Sequence, residues 1–115
     1  MILNLGSFFD KVGVAGQLAY SASKAAMGAM TRVLAVEWAK DGIAVLNVAP
    51  GYVETELSDF WQRPGSAKWI RQRVPVGRGG TREEVARLVG ALFGEDLAYL
   101  TGETIYMDGA HSLNH

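Results

Sequence analysis

The chain has 115 residues, 49% of them hydrophobic and 20% charged, with a net charge of −1. That mixture describes a soluble globular chain rather than a disordered one. The near-neutral balance lacks the basic footprint of a nucleic-acid binder, and the absence of cysteine removes disulfides and thiolate chemistry. No apolar run reaches the roughly 18 residues of a membrane span. The N-terminus shows neither the basic region nor the small-residue cleavage site of a signal peptide, so the cytoplasm is the expected location.

In chain order, "MILNL" is a short apolar segment ended by Gly6-Ser7, the pattern of a buried strand. A helix is expected from Tyr20 to about Lys40. Between Ala25 and Val36 its only polar side chains are Thr31 and Arg32, so it needs cover on two sides: a sheet on one, a second helix or another subunit on the other. Gly42 suits the left-handed position after the helix end. "IAVLNVAP" reads as a second buried strand stopped by Pro50-Gly51. A strand, a helix and a strand of these lengths form a parallel pair with a right-handed crossover.

The stretch from Tyr52 to Gly80 is irregular and reads as short helices and loops forming a lid. In "TREEVARLVGALF", Thr81 and Glu84 have capping-box spacing, and Val85, Leu88, Val89, Leu92 and Phe93 share an apolar face. "GETIYMDG" is a last short strand. The expected fold is α/β: a truncated Rossmann-like layer structure with a short parallel sheet and packed helices, in a single domain over 1–115. The apolar first strand presents an edge that normally requires cover. Together with the helix 20–40 it points to a homo-oligomer, a dimer or a tetramer.

Tyr20 and Lys24 stand at i and i+4 and meet on one helix face. A phenol of reference pKa near 10 is a poor base at neutral pH, and an adjacent ammonium favours its phenolate. Bringing it into a useful range asks for roughly 3–4 kcal/mol of differential interaction, within reach of a close charge in a water-poor cleft. The plain alternative is a half-exposed tyrosine beside a solvated lysine. Ser7 lies at the carboxyl end of the first strand, where open parallel sheets place ligands, thirteen residues before Tyr20. Its hydroxyl can polarise a carbonyl oxygen that Tyr20 protonates, or it can merely cap a turn.

The blocks "NLGS", "YSASK", "VAPGYVET", "GRGGTREEVA" and "LTGETIYMDGA" resemble, in order and spacing, the C-terminal half of the short-chain dehydrogenase/reductase family. The likeness is nearest to its 3-oxoacyl-carrier-protein reductase and sugar or small-alcohol dehydrogenase branch. The resemblance implies an NAD(P)-dependent oxidoreductase acting on a small-molecule ketone or secondary alcohol. It assigns Ser7 to substrate orientation, Tyr20 to acid/base transfer, and Lys24 to the tyrosine and the nicotinamide ribose. Pro50, Gly51, Val53 and Thr55 match the residues around the nicotinamide, and Leu57, Phe60 and Trp61 fall in the variable substrate lid.

The departures are equally specific. No G-x-G-x-x-G pyrophosphate loop is present, and "GRGG" at 77–80 is neither that pattern nor in its context. The residue that selects NAD or NADP and the family's tetrad asparagine have no counterpart. Leu46 stands where an asparagine is usual, with Asn47 adjacent, Ala110 replaces the second glycine of "DGG", and Arg82 replaces a common proline. These departures support a second expectation, a non-catalytic remnant acting as an oligomerisation module. Among other candidates, Ser7 with Lys24 lacks the G-x-S-x-G elbow of a hydrolase. His111 and His115 have no metal-ligand spacing and are expected in solvent. Asp108-Gly109 reads as a turn, and Trp61 and Trp69 as core packing or substrate cover.

Overall fold

The computed structural model describes residues 1–56 and 58–114. Leu57 and His115, both singled out above, lie outside the described residues. Three parallel strands, β1 (Ile2–Leu5), β2 (Val45–Pro50) and β3 (Thr104–Met107), form one sheet in the order β1-β2-β3. The central strand is the most deeply buried element: Val45, Leu46, Asn47, Val48 and Ala49 have no exposed surface. Such a run is what a parallel strand covered on both faces requires.

Helix α1 (Leu18–Trp38) makes the crossover from β1 to β2. It starts two residues earlier than the sequence pattern suggests, and its end tightens into a 3₁₀ turn, Ala39–Asp41. Gly42 follows in the left-handed conformation, φ 71°. The face of α1 carrying Gly28, Thr31 and Ala35 is buried, lying over a polar row of Asn4, Asn47 and Thr104. The Asn4 amide donates to the Thr31 hydroxyl at 2.9 Å, and Asn47 donates to Thr104 at 3.2 Å. The opposite sheet face is apolar. There Leu46 and Val48 pack with Leu92, flanked by Leu3, Leu88, Leu97, Leu100 and Ile105. Leu46, at the position where an asparagine is usual, is therefore a core residue, and Asn47 faces the other way.

Helix α2 (Ser66–Arg73) lies within the irregular segment, and α3 (Arg82–Gly94) covers the apolar sheet face. The capping box forms as its spacing predicts: Thr81 Oγ1 accepts from the Glu84 N–H and Glu84 accepts from the Thr81 N–H. Arg78 then adds a bidentate pair to Glu84 at 2.7 and 2.9 Å. One expectation for this helix fails: Phe93 is 55% exposed, because the apolar cluster ends at Leu92.

Two surfaces stay open. Met30, Val33 and Val36 are exposed on α1, so among the described residues the helix has cover on the sheet side only. Ile2 and Gly6 donate toward Ala44 and Val48 of the β2 side. By the two-residue strand period, Leu3 and Leu5 turn their peptide groups to the other edge, where no strand lies among the described residues. No helix among the described residues is long and apolar enough to cross a membrane.

Candidate active site

The sequence-nominated residues converge at the carboxyl ends of the strands. Ser7 follows β1, Pro50 and Gly51 end β2, and Tyr20 and Lys24 occupy the first turns of α1. Gly51 is dictated by close approach: a Cβ there would stand 2.7 Å from the Asp108 Cα. Its N–H donates to Met107 at 2.9 Å, which locks the ends of β2 and β3 together.

Tyr20 is 44% exposed and packs edge-on against Phe9, with ring centroids 5.6 Å apart. The Lys24 Nζ lies 5.7 Å from the Tyr20 ring centroid and donates to the Leu5 carbonyl at 2.9 Å. The ammonium is thus shared between the tyrosine and the open edge of β1. Ser7 is buried, and its Oγ accepts from the Phe9 N–H at 3.3 Å, capping the 3₁₀ turn Phe8–Asp10. The capping role is the one this geometry displays, and the second lone pair and the proton of the hydroxyl remain available.

The lid residues divide. Val53 bridges to Gly80 across the mouth of the segment, and Trp61 donates from Nε1 to the Val53 carbonyl at 2.9 Å. Trp61 is therefore an internal tie that pins the lid to its own base. Thr55 and Trp61 border an open cleft of about 550 Å³ with Arg71, Arg78 and Arg82. Neither Ser7, Tyr20 nor Lys24 lines that cleft, so the cleft and these nominated reacting groups are in different places.

What surrounds the reacting groups is aromatic. Phe8 meets Phe9, Tyr52 and His111 at 4.8, 5.2 and 5.3 Å between ring centroids. Tyr52 stacks on Phe60 at 5.3 Å and touches Trp69 and His111 edge-on. Burial raises the Tyr52 hydroxyl above its usual pKa, with the Arg73 charge pulling back in part. His111 corrects the expectation of a solvent-exposed tail residue. Its ring is packed among Phe8, Tyr52 and Trp69, and its Nδ1 is buried with no hydrogen-bond partner among the described residues. Asp108 makes the expected turn, accepting from the N–H groups of Ala110 and Ser112. Burial pushes its carboxyl up, but those bonds and the His111 charge carry it below the ordinary range. No periodicity exposed this ring cluster, although "SFF" after β1 and "GY" after β2 place aromatic side chains at two strand ends.

This fold and site define an α/β protein of the Rossmann-like layer type, with a tyrosine and a lysine one helical turn apart at the carboxyl ends of its strands. The family model described as enoyl-(acyl carrier protein) reductase matches residues 1–111. The chain belongs to the short-chain dehydrogenase/reductase family of oxidoreductases. It is 39% identical to the 3-oxoacyl-[acyl-carrier-protein] reductase FabG of Chlamydia pneumoniae over 94% of its own length and 43% of that protein's. A short-chain dehydrogenase/reductase of Serratia marcescens matches at TM-score 0.86 and 34% identity, over 96% of this chain and 45% of that one. A 4-hydroxyisoleucine dehydrogenase complexed with NADH matches at TM-score 0.93 and 23% identity, over 99% of this chain and 47% of that one, a likeness of fold. The chain spans less than half the length of each of these relatives.

Proposed function

We propose that this chain carries the proton-transfer half of an NAD(P)-dependent reduction of a ketone, or oxidation of a secondary alcohol. The placement of Tyr20 and Lys24 one turn apart on α1, with Ser7 at the end of β1, is the observation that supports it most. Ser7 orients the substrate oxygen, Tyr20 gives it a proton in reduction and takes one in oxidation, and Lys24 favours the phenolate by its charge. A nicotinamide, when bound, supplies or accepts the hydride at the substrate carbon. NADH bound to a relative of the same fold supports that cofactor class, and the chain's own residues leave NAD against NADP open.

The residues fit one end of such a dinucleotide. Tyr20 exposes its hydroxyl-bearing ring beside an ammonium, and Gly51 adds no side chain at the end of β2. Lys24 would hold the ribose hydroxyls, and Val53 and Thr55 the carboxamide side. For the pyrophosphate end there is no G-x-G-x-x-G, and the Thr81 and Glu84 side chains already cap the start of α3. In this reading 1–115 is one domain, the equivalent of the catalytic half of the family. Its cofactor is completed by further chain or by a second subunit, a dimer or tetramer through α1. Phe60 faces the substrate from the lid, while Trp61 acts as its tie.

A second reading, a non-catalytic assembly module, draws support from the Lys24–Leu5 bond, which occupies the ammonium at an open sheet edge. Purified protein assayed with NADPH or NADH and a ketone, beside Tyr20→Phe, separates the two. Turnover abolished by the variant supports the first, whereas equal rates end it. Failure to bind either dinucleotide supports the second.

A further inference from the structure

We propose that Asp10 and Tyr106 are positioning residues of the candidate active site: the hydrogen bond between them fixes the direction in which the short turn after Ser7 holds Phe9 against Tyr20. The use made of that placement rests on the oxidoreductase reading, whereas the placement itself is tested apart from it.

The turn is the 3₁₀ segment Phe8–Asp10. Side chains in such a helix point about 120° apart, so three successive residues face three ways. Each of the three has its own contact. Phe8 is 2% exposed and packs against Tyr52 and His111, while Phe9 meets the Tyr20 ring edge-on at 5.6 Å between centroids. Asp10 accepts from the Tyr106 hydroxyl, which stands 3.1 Å from each carboxylate oxygen. Backbone bonds make the turn one unit: the Asp10 N–H donates to the Ser7 carbonyl at 3.1 Å and the Lys11 N–H to that of Phe8 at 3.0 Å. A single anchor at Phe8 sets where this unit sits but leaves it able to swivel. A second anchor in another direction fixes its rotation, and with it the direction of Phe9.

The Asp10–Tyr106 bond supplies that second anchor. It joins the turn to β3, the strand at the far side of the sheet from β1. Among the described residues it is the only side-chain hydrogen bond from residues 8–17 to another element. The carboxylate lies beside Gly28 of α1, where a Cβ would already stand 3.8 Å from its Oδ2 and 3.6 Å from Thr104 Oγ1. A side chain longer than alanine at that point would meet both. The Lys11 Nζ lies 4.8 Å from the Tyr106 ring centroid, so successive residues of the chain hold that ring at its hydroxyl and over its face. Ser7 is tied to the same turn, because its Oγ accepts from the Phe9 N–H at 3.3 Å. A rotation of the turn therefore moves both the ring that flanks Tyr20 and the group that bonds the Ser7 hydroxyl. Asp10 and Tyr106 act on Tyr20 through Phe9.

The test uses the intact chain, with aromatic NMR reporting the Phe9–Tyr20 contact as a cross-relaxation peak between the two rings. Tyr106→Phe and Asp10→Ala each remove the bond; both should lose most of that peak and move the Tyr20 ring shifts in the same sense. Asp10→Asn keeps an acceptor oxygen and should retain the peak. In nicotinamide-dependent turnover, kcat of Tyr106→Phe should fall about fivefold with KM within about twofold of the parent. A peak retained in Tyr106→Phe and Asp10→Ala would overturn the proposal, whatever their thermal midpoints, since a bond that only stabilises lowers the midpoint and leaves the contact in place. A peak lost from Asp10→Asn as fully as from Asp10→Ala would overturn it too. Loss of the peak in both bond-removing variants of a chain without turnover would end the oxidoreductase reading and leave the positioning standing. Turnover that Tyr20→Phe abolishes, with the peak unmoved by loss of the bond, would do the reverse.

Discussion

The Lys24 ammonium donates a 2.9 Å hydrogen bond to the Leu5 carbonyl, nineteen residues upstream. Leu5 presents that carbonyl to the edge of β1 that no described strand occupies, so the lysine nominated for proton transfer also caps an open sheet edge.

This bond predicts a measurable stability effect. Lys24→Met keeps the aliphatic stem and the helix propensity but removes the donor. It should cost about 1 kcal/mol in urea unfolding, the lower range for a charge-assisted bond that is partly solvated. Lys24→Arg retains a donor and should stay within about 0.5 kcal/mol of the parent. A methionine variant as stable as the parent would show that the ammonium does not hold the edge.

The elements were largely legible because each has a local signature. The Ala- and Met-rich run marks α1, the Thr81–Glu84 spacing marks the start of α3, and "IAVLNVAP" marks the buried central strand, which begins at Val45. The aromatic contacts around the nominated groups were not legible, because they join residues far apart in the chain. Phe8 meets a His111 that sequence pattern leaves in a polar tail. Phe93 departs from its pattern for the opposite reason. Its periodicity is right, but the packing that would bury it stops one residue earlier, at Leu92.

The Arg78–Glu84 pair carries a pH prediction. The Arg78 guanidinium, with the Thr81 N–H, holds the Glu84 carboxyl down from 4.5 to about 2. A depressed folded-state pKa stabilises above the unfolded value and loses that contribution as pH falls through the folded one. The window is therefore from about pH 4.5 down to about pH 2. Glu84→Gln keeps the capping-box geometry and removes the charge. The gap in urea midpoint between parent and variant should be full at pH 7 and should shrink steadily below pH 4.5. A gap that does not change with pH would mean that the pair stabilises by hydrogen bonding alone.

Ala110 is the one non-glycine residue with positive φ among those described, at 66°. A left-handed alanine costs roughly 1–2 kcal/mol through its Cβ. Part of that returns as unfolded-state entropy when glycine is substituted. Ala110→Gly should stabilise by about 0.5–1 kcal/mol, read as an upward shift in thermal midpoint. A lower midpoint would mean that the alanine methyl makes packing contacts worth more than the strain.

The polar row beneath α1 gives the largest expected effect. Thr31 has no exposed surface, accepts from the Asn4 amide at 2.9 Å and donates to the Met27 carbonyl at 2.8 Å. Thr31→Val conserves shape and removes the hydroxyl, leaving the Asn4 amide without that acceptor at a cost of about 1–3 kcal/mol. Asn4→Leu alone strands the Thr31 hydroxyl less severely, because its bond to Met27 survives. The double variant removes both members and should recover about 1 kcal/mol relative to the sum of the singles. Additive losses in that cycle would show that Asn4 and Thr31 are held independently, and that α1 is seated on the sheet by its buried Gly28, Thr31 and Ala35 face alone.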